Sequence, residues 1–279
     1  MNATHKKLLK RFLEDNPFQP ATSLWRAYEI AFMAEKGLPT GLGLDLGCGD
    51  GRLTRVLLEE TGSRELVGID PDPLETTQAV QEKLYTRVHT VGGSEIPEPD
   101  ASFQFVLSNS VLEHIPDLEP VLAESARLLV KGGTFVASVP GPDFHKCLRG
   151  PWINKSHREE YLKALDKRVA HVRYPTEDEW RGMFSRNGLE LVEAPSYLHQ
   201  QIVRRWEFVS RTTAGALVAL TFGRKRPIEI QRSLGVRGKR TKFPGFLISL
   251  MAGVLSFGLS DRPKPGEACG CLLVIARKP

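Results

Sequence analysis

Cysteine is scarce in this chain. Cys48, Cys147, Cys269 and Cys271 are too few for a disulfide framework, and none has zinc-ligand spacing. Cys269-Gly270-Cys271 has one intervening residue and lies in an apolar run, so both cysteines read as strand residues. Such usage points to a reducing, cytoplasmic setting. The start lacks an apolar run as well. Lys10, Arg11, Glu14 and Asp15 interrupt the stretch behind Met1–Lys7, so no signal peptide is expected. No internal repeat is present. Acidic residues are scarce in the last third. Residues 197–279 hold 15 Lys/Arg and 4 Asp/Glu, whereas residues 1–196 hold 23 and 29. A basic tail on an acidic body points to an anionic partner: a membrane surface, a phosphorylated substrate or nucleic acid.

Between the two ends, apolar runs and helical periodicity alternate. Trp25, Tyr28, Phe32 and Met33 recur at helical spacing, and Gly37-Leu38-Pro39 ends a helical region over 1–36. Strands are expected at Leu42–Leu46, Leu66–Ile69, Arg87–Thr90, Phe103–Ser108, Thr134–Val139, Leu189–Glu193 and Cys271–Ala276. Helices are expected at Arg52–Glu60, Leu74–Tyr85, Leu118–Leu129 and Glu177–Arg186. The alternation predicts an α/β fold with a doubly wound, mostly parallel, seven-stranded sheet. The domains expected are a helical cap over 1–36, a core over 37–196 and 268–279, and an insertion over 197–267. Residues 140–176, rich in Pro, His, Arg and Trp, form a second departure from the alternation.

The most specific motif is Asp45-Leu46-Gly47-Cys48-Gly49-Asp50-Gly51, between an apolar strand and the helix that begins at Arg52. Glycines let the backbone turn sharply and approach a ligand. The dinucleotide pattern places a third glycine where this chain has Arg52. Asp45 would also repel a pyrophosphate, whereas it suits the cationic end of a ligand. The next strand ends on Asp70, before Pro71. An acid there can accept both ribose hydroxyls of a nucleoside.

These residues resemble class I S-adenosylmethionine-dependent methyltransferases, the small-molecule branch that includes quinone-biosynthesis enzymes. Asp45–Gly51 resembles the first motif and Asp70 the ribose acid. Ile96-Pro97-Glu98-Pro99-Asp100-Ala101-Ser102-Phe103 resembles the approach to strand four, and Ser108-Asn109-Ser110-Val111-Leu112-Glu113-His114-Ile115-Pro116-Asp117 its exit. Leu128-Leu129-Val130-Lys131-Gly132-Gly133 resembles the turn before strand five. The resemblance covers about 40–195. It implies S-adenosylmethionine as cofactor, held by Asp45, Gly47, Cys48, Gly49 and Gly51, by Asp70 and Pro71, and by Ser108 and Asn109. The family's adenine-binding acid falls on Gly92, so adenine recognition passes to Ser94, beside Glu95, or to backbone amides.

Nucleic-acid base methylation is not expected. The strand-four exit lacks the Asn/Asp-Pro-Pro-aromatic run typical of it, and the basic segment lacks interleaved aromatics for stacking. Methyl transfer from a sulfonium chiefly needs alignment, with a base where the acceptor is a hydroxyl or acidic carbon. His114 is the leading base, Glu113 its partner or a lone base, and His171 a second candidate. No metal site is expected, because Glu113 and His114 need a third ligand that Asn109 and Ser110 do not supply as an acid. Thr176 and Glu179 read as a capping box.

The expected function is therefore methyl transfer, at oxygen or carbon, to a small-molecule or a lipid- or glycan-linked acceptor. A non-catalytic cofactor-binding protein and a nicotinamide oxidoreductase are the alternatives. Topology brings 197–267 back to the ligand edge of the sheet. Within it, Phe243–Ser260 carries no charge, and Arg224–Lys242 holds eight basic residues and one acid. Too glycine-rich for a membrane span, Phe243–Ser260 reads as a shallow helix on an anionic membrane or as a lid packed through its small face of Ser249, Gly253, Ser256 and Ser260. A cytoplasmic protein, peripheral on the inner face of the membrane, is the corresponding location.

Overall fold

The computed structural model describes residues 1–152, 154–215 and 243–279. The expected uncharged stretch Thr212–Gly223 lies largely outside them, and the basic run Arg224–Lys242 lies wholly outside. The chain forms two compact units, each built from three segments.

The unit made of Phe32–Pro142, Ala170–Tyr197 and Cys271–Pro279 holds the sheet but for the strand-end residues Leu198, His199, Cys269 and Gly270. Its strands are β1 (Gly43–Leu46), β2 (Leu66–Ile69), β3 (Arg87–His89), β4 (Phe103–Asn109), β5 (Leu129–Pro140), β6 (Glu190–Glu193), β7 (Ser196–His199) and β8 (Cys269–Arg277). The order is β3-β2-β1-β4-β5-β8-β6, with β7 also paired to β8. β1 to β5 run parallel, and β8 is antiparallel to both β5 and β6. Expectation and structure agree on the doubly wound sheet and its antiparallel C-terminal strand. Among the described residues the sheet has eight strands, not seven: Ser196–His199 is the addition. β5 also starts earlier than expected, at Leu129, because the Lys131-Gly132-Gly133 turn stays in the ladder through a register shift opposite Phe103–Phe105.

Every residue of β1 and β2 is buried, as strands covered on both faces require. Around them pack α3 (Arg52–Thr61), α4 (Pro73–Gln81), α5 (Glu119–Leu128) and α8 (Glu177–Arg186). Leu44, Val67, Val106, Leu122, Phe135, Trp180, Phe184 and Val274 belong to one apolar cluster. Two of these helices start on a side-chain cap. Asp72 caps α4 ahead of Pro73, and Thr176 with Glu179 forms the capping box of α8.

The other unit comprises Met1–Ala31, Asp143–Val169 and Leu198–Gly270. The N-terminal helical region is two helices, α1 (Ala3–Asp15) and α2 (Pro20–Lys36), because Asn16 and Pro17 interrupt it. Asn2 caps α1, whose Leu8, Leu9, Phe12 and Leu13 are buried. α6 (Phe144–Cys147), α7 (Arg158–Val169), α9 (Gln200–Ser210) and α10 (Gly245–Ser256) follow. α1 packs on α10. α10 buries Ile248, Ala252 and Leu255; Ser249, Gly253 and Ser260 are exposed and Ser256 half-buried. The small face is therefore not the packed one: burying branched and leucine side chains removes more apolar area from water. Arg205 donates to the carbonyls of Val254, Leu255 and Phe257, which closes the C-terminal end of α10. Among the described residues no helix is long and apolar enough to cross a membrane.

Candidate active site

The glycine-rich turn hangs on the end of β2. The amides of Gly47 and Cys48 both donate to the Ile69 carbonyl, at 2.9 and 2.8 Å. Gly47, Gly49 and Gly51 all take positive φ. Gly47 needs glycine twice over, since a Cβ there would stand 2.4 Å from the Val111 side chain. Asp70 bridges the turn to the next loop. Its carboxylate accepts from the Gly49 amide at 3.1 Å and from the Asp72 amide at 2.9 Å. Burial raises its pKa, and those two amides pull it back. Half-buried, Asp70 stands at the carboxyl end of β2, with Pro71 after it.

Asp45 is buried beneath the turn. One carboxylate oxygen accepts from Thr54 Oγ1 and from the Tyr85 hydroxyl, each at 2.6 Å. Burial pushes its pKa up to about 6, against the lowering effect of those hydroxyls. Thr54 and Tyr85 were not legible as site residues, because neither belongs to the glycine motif. Cys48 is buried, and desolvation drives its thiol pKa well above the usual range. Among the described residues nothing stands within 4 Å of where a Gly92 Cβ would be; Ser94 and Glu95 are exposed on the same loop. That loop is organised by Arg127, which donates to Glu124, Asp100 and the carbonyls of Ile96 and Glu98. Glu98 in turn pairs with Arg87 and His89, and chiefly the Arg87 hydrogen bonds lower its pKa.

β4 lies beside β1 with Ser108 level with Leu46, so their carboxyl ends share one edge. Ser108 is fully buried and donates to the Leu46 carbonyl at 3.2 Å. Asn109 accepts from Ser138 Oγ at 2.6 Å, while its buried Nδ2 has no hydrogen-bond partner among the described residues. Ser110 then takes φ 54°, a left-handed conformation that costs about 1–2 kcal/mol for a non-glycine residue. The chain turns there into a short helix, Leu112–His114.

That turn brings the three acid–base candidates together. Glu113 is buried and His114 exposed. The Nε2 atoms of His114 and His171 each lie 4.0 Å from Glu113 Oε1, and the two rings are 5.4 Å apart. The Glu113 carbonyl accepts from the Val172 amide at 2.9 Å, tying the loop of His171 to the β4 exit. The sequence offered His171 as a second base candidate without a contact to Glu113, from which 57 intervening residues separate it.

A family model described as a methyltransferase domain matches residues 24–194. A probable S-adenosylmethionine-dependent methyltransferase of Mycolicibacterium smegmatis is 31% identical over 154 residues, covering 54% of this chain and 58% of that one. The ubiquinone biosynthesis O-methyltransferase of Rhizobium etli is 23% identical over 170 residues, covering 59% and 66%. The chain spans about half the length of the first curated relatives it matches. A SAM-dependent methyltransferase structure from Thermotoga maritima superposes with a TM-score of 0.56 at 16% identity, covering 97% of this chain and 100% of that one.

Proposed function

This chain belongs to the methyltransferase-domain family, and on that premise we propose that it transfers a methyl group from S-adenosylmethionine to the oxygen or carbon of a small acceptor. The observation that carries the reading is the junction of Asp70 with the Gly47–Gly51 turn at the carboxyl ends of β1 and β2, the edge where open α/β sheets bind nucleotides. The turn approaches the cofactor, Asp70 accepts from the ribose hydroxyls, and the negative charge of Asp45 favours the cationic end. Asn109 Nδ2 offers a buried donor at the neighbouring β4 exit. The cluster of Glu113, His114 and His171, reached from that exit, promotes loss of the acceptor's proton.

Calorimetry on the purified chain tests this. S-adenosylmethionine and its demethylated product should bind, and NAD should not. Asp70→Ala should weaken binding by about 1.5–3 kcal/mol, the worth of hydrogen bonds to a charged acceptor. Tight NAD binding without a response to the methionine cofactor would refute the reading.

We further infer that the acceptor is lipid-linked or sits at an anionic surface. Phe246, Leu250, Val254 and Phe257 of α10 and its exit are 61–80% exposed, and their spacing makes one stripe. Such a helix, 12 residues long, lies in an interface rather than across it. The basic run just before it adds attraction to anionic headgroups.

A further inference from the structure

We propose that Glu113, His114 and His171 bind a divalent first-row transition cation of the zinc or cobalt kind, with a coordination position left open for the acceptor's oxygen. Two histidines and one carboxylate are the donor set of catalytic zinc sites that hold three protein ligands and one exchangeable one. The sequence supplies two of these donors side by side. The fold brings the third from the far side of α7, and one donor atom from each of the three residues lies within 4.8 Å of the others.

The donor spacing is near that of a shared ion. Each imidazole Nε2 is 4.0 Å from the same carboxylate oxygen. Two atoms each about 2.1 Å from one ion stand roughly 3.4 Å apart in a tetrahedral site. Holding the ion requires the rings to turn inward by that difference. The outer partners already fix the rings. His114 Nδ1 lies 2.9 Å from the Ala170 carbonyl. A carbonyl only accepts, so Nδ1 carries the proton and Nε2 presents its lone pair toward Glu113. His171 Nδ1 is 3.1 Å from the Tyr174 hydroxyl, again leaving Nε2 on the Glu113 side. A backbone carbonyl or hydroxyl on the far nitrogen is how metal-binding histidines are oriented. Ala170 holds its carbonyl there from a left-handed backbone, φ 60°, and strain of this kind gathers at functional sites. Glu113 is buried and screened from water, while His114 opens the cluster to solvent.

The role in transfer rests on the methyltransferase reading; the binding does not. An acceptor hydroxyl on the cation is a stronger acid, as water is on catalytic zinc. Its proton passes to solvent water. The oxygen lone pair forms a C–O bond to the cofactor's methyl as the C–S bond breaks. The electron pair of that bond stays on sulfur, and the sulfonium becomes a neutral thioether.

The test is a Co²⁺ titration of the untagged, chelator-dialysed full chain, read by calorimetry and visible absorption. One Co²⁺ per chain should bind with the absorption of histidine ligation. His114→Ala, His171→Ala and Glu113→Gln should each weaken it by more than about 100-fold, and Tyr174→Phe by about 10-fold. The exposed His157, changed to Ala, should leave it unaltered. Tyr174→Phe decides the matter if a ligand variant fails to fold. No binding, or binding equal in the wild type and all four cluster variants, overturns the proposal. The same samples titrated with S-adenosylmethionine keep the two readings apart. Cofactor binding without Co²⁺ binding sinks the metal alone. Co²⁺ binding at the cluster without cofactor binding supports the metal site and sinks the transferase.

Discussion

Asp45 carries a conflict between holding the fold and holding a ligand. Its folded pKa of about 6 lies above the ordinary carboxylate value, chiefly because it is buried. The native state therefore binds a proton more tightly than the unfolded chain does. Its contribution to stability is full below about pH 4 and lost as pH rises through 6. At pH 7 the charged form costs about 1–3 kcal/mol. Asp45→Asn keeps an oxygen to accept from Thr54 and Tyr85 without the charge. The variant should melt with the wild type below pH 4, and higher than it above pH 6, as followed by calorimetric melting across that range. It should also bind S-adenosylmethionine more weakly, because a neutral amide gives the cationic end nothing. Equal melting temperatures at pH 7 would show that Asp45 is not strained by its burial.

At the scale of elements, local signals and long-range ones separated cleanly. The capping box of α8 was legible because Thr176 and Glu179 satisfy each other's backbone within one turn. Thr176→Ala should cost about 1 kcal/mol and lower the melting temperature by a few degrees without changing cofactor affinity; an unchanged melting temperature would mean that α8 starts by packing alone. The glycine turn and Asp70 were legible for the same reason, each being tied to a strand end that the apolar pattern marks. α7 was not. It buries only Leu165, so no apolar stripe exists for periodicity to find. β7 was missed because its pairing partner, β8, is supplied by residues some 70 positions onward. The buried face of α10 was misjudged because all its faces are apolar or small, so that sequence alone gives no contrast. The meeting of His171 with Glu113 is likewise a product of tertiary structure.

Over the whole chain, charge and apolar exposure gather in the same stretch of sequence. Eight basic residues over 224–242 precede the exposed stripe of α10. Vesicle sedimentation should show binding that rises with anionic lipid and falls with salt, since screening shortens electrostatic reach to about 8 Å at physiological ionic strength. Neutralising Arg224, Lys225 and Arg226 together should reduce it by roughly 1 kcal/mol for each charge near the surface. Changing Phe246, Leu250 and Phe257 to Ser should reduce it on neutral vesicles too. No binding to anionic vesicles at low salt would leave a water-soluble acceptor. The placement of β8 has a different consequence, one that concerns the protein's birth. β8 separates β5 from β6 in the sheet, yet the ribosome makes it only after the whole of 194–268. At about 5–20 residues per second, β6 waits some 4–15 seconds, and β5 longer, with open hydrogen-bonding edges. Unpaired edges recruit other strands, so the nascent chain is most prone to aggregate in that interval, and a chaperone acting then would govern its yield.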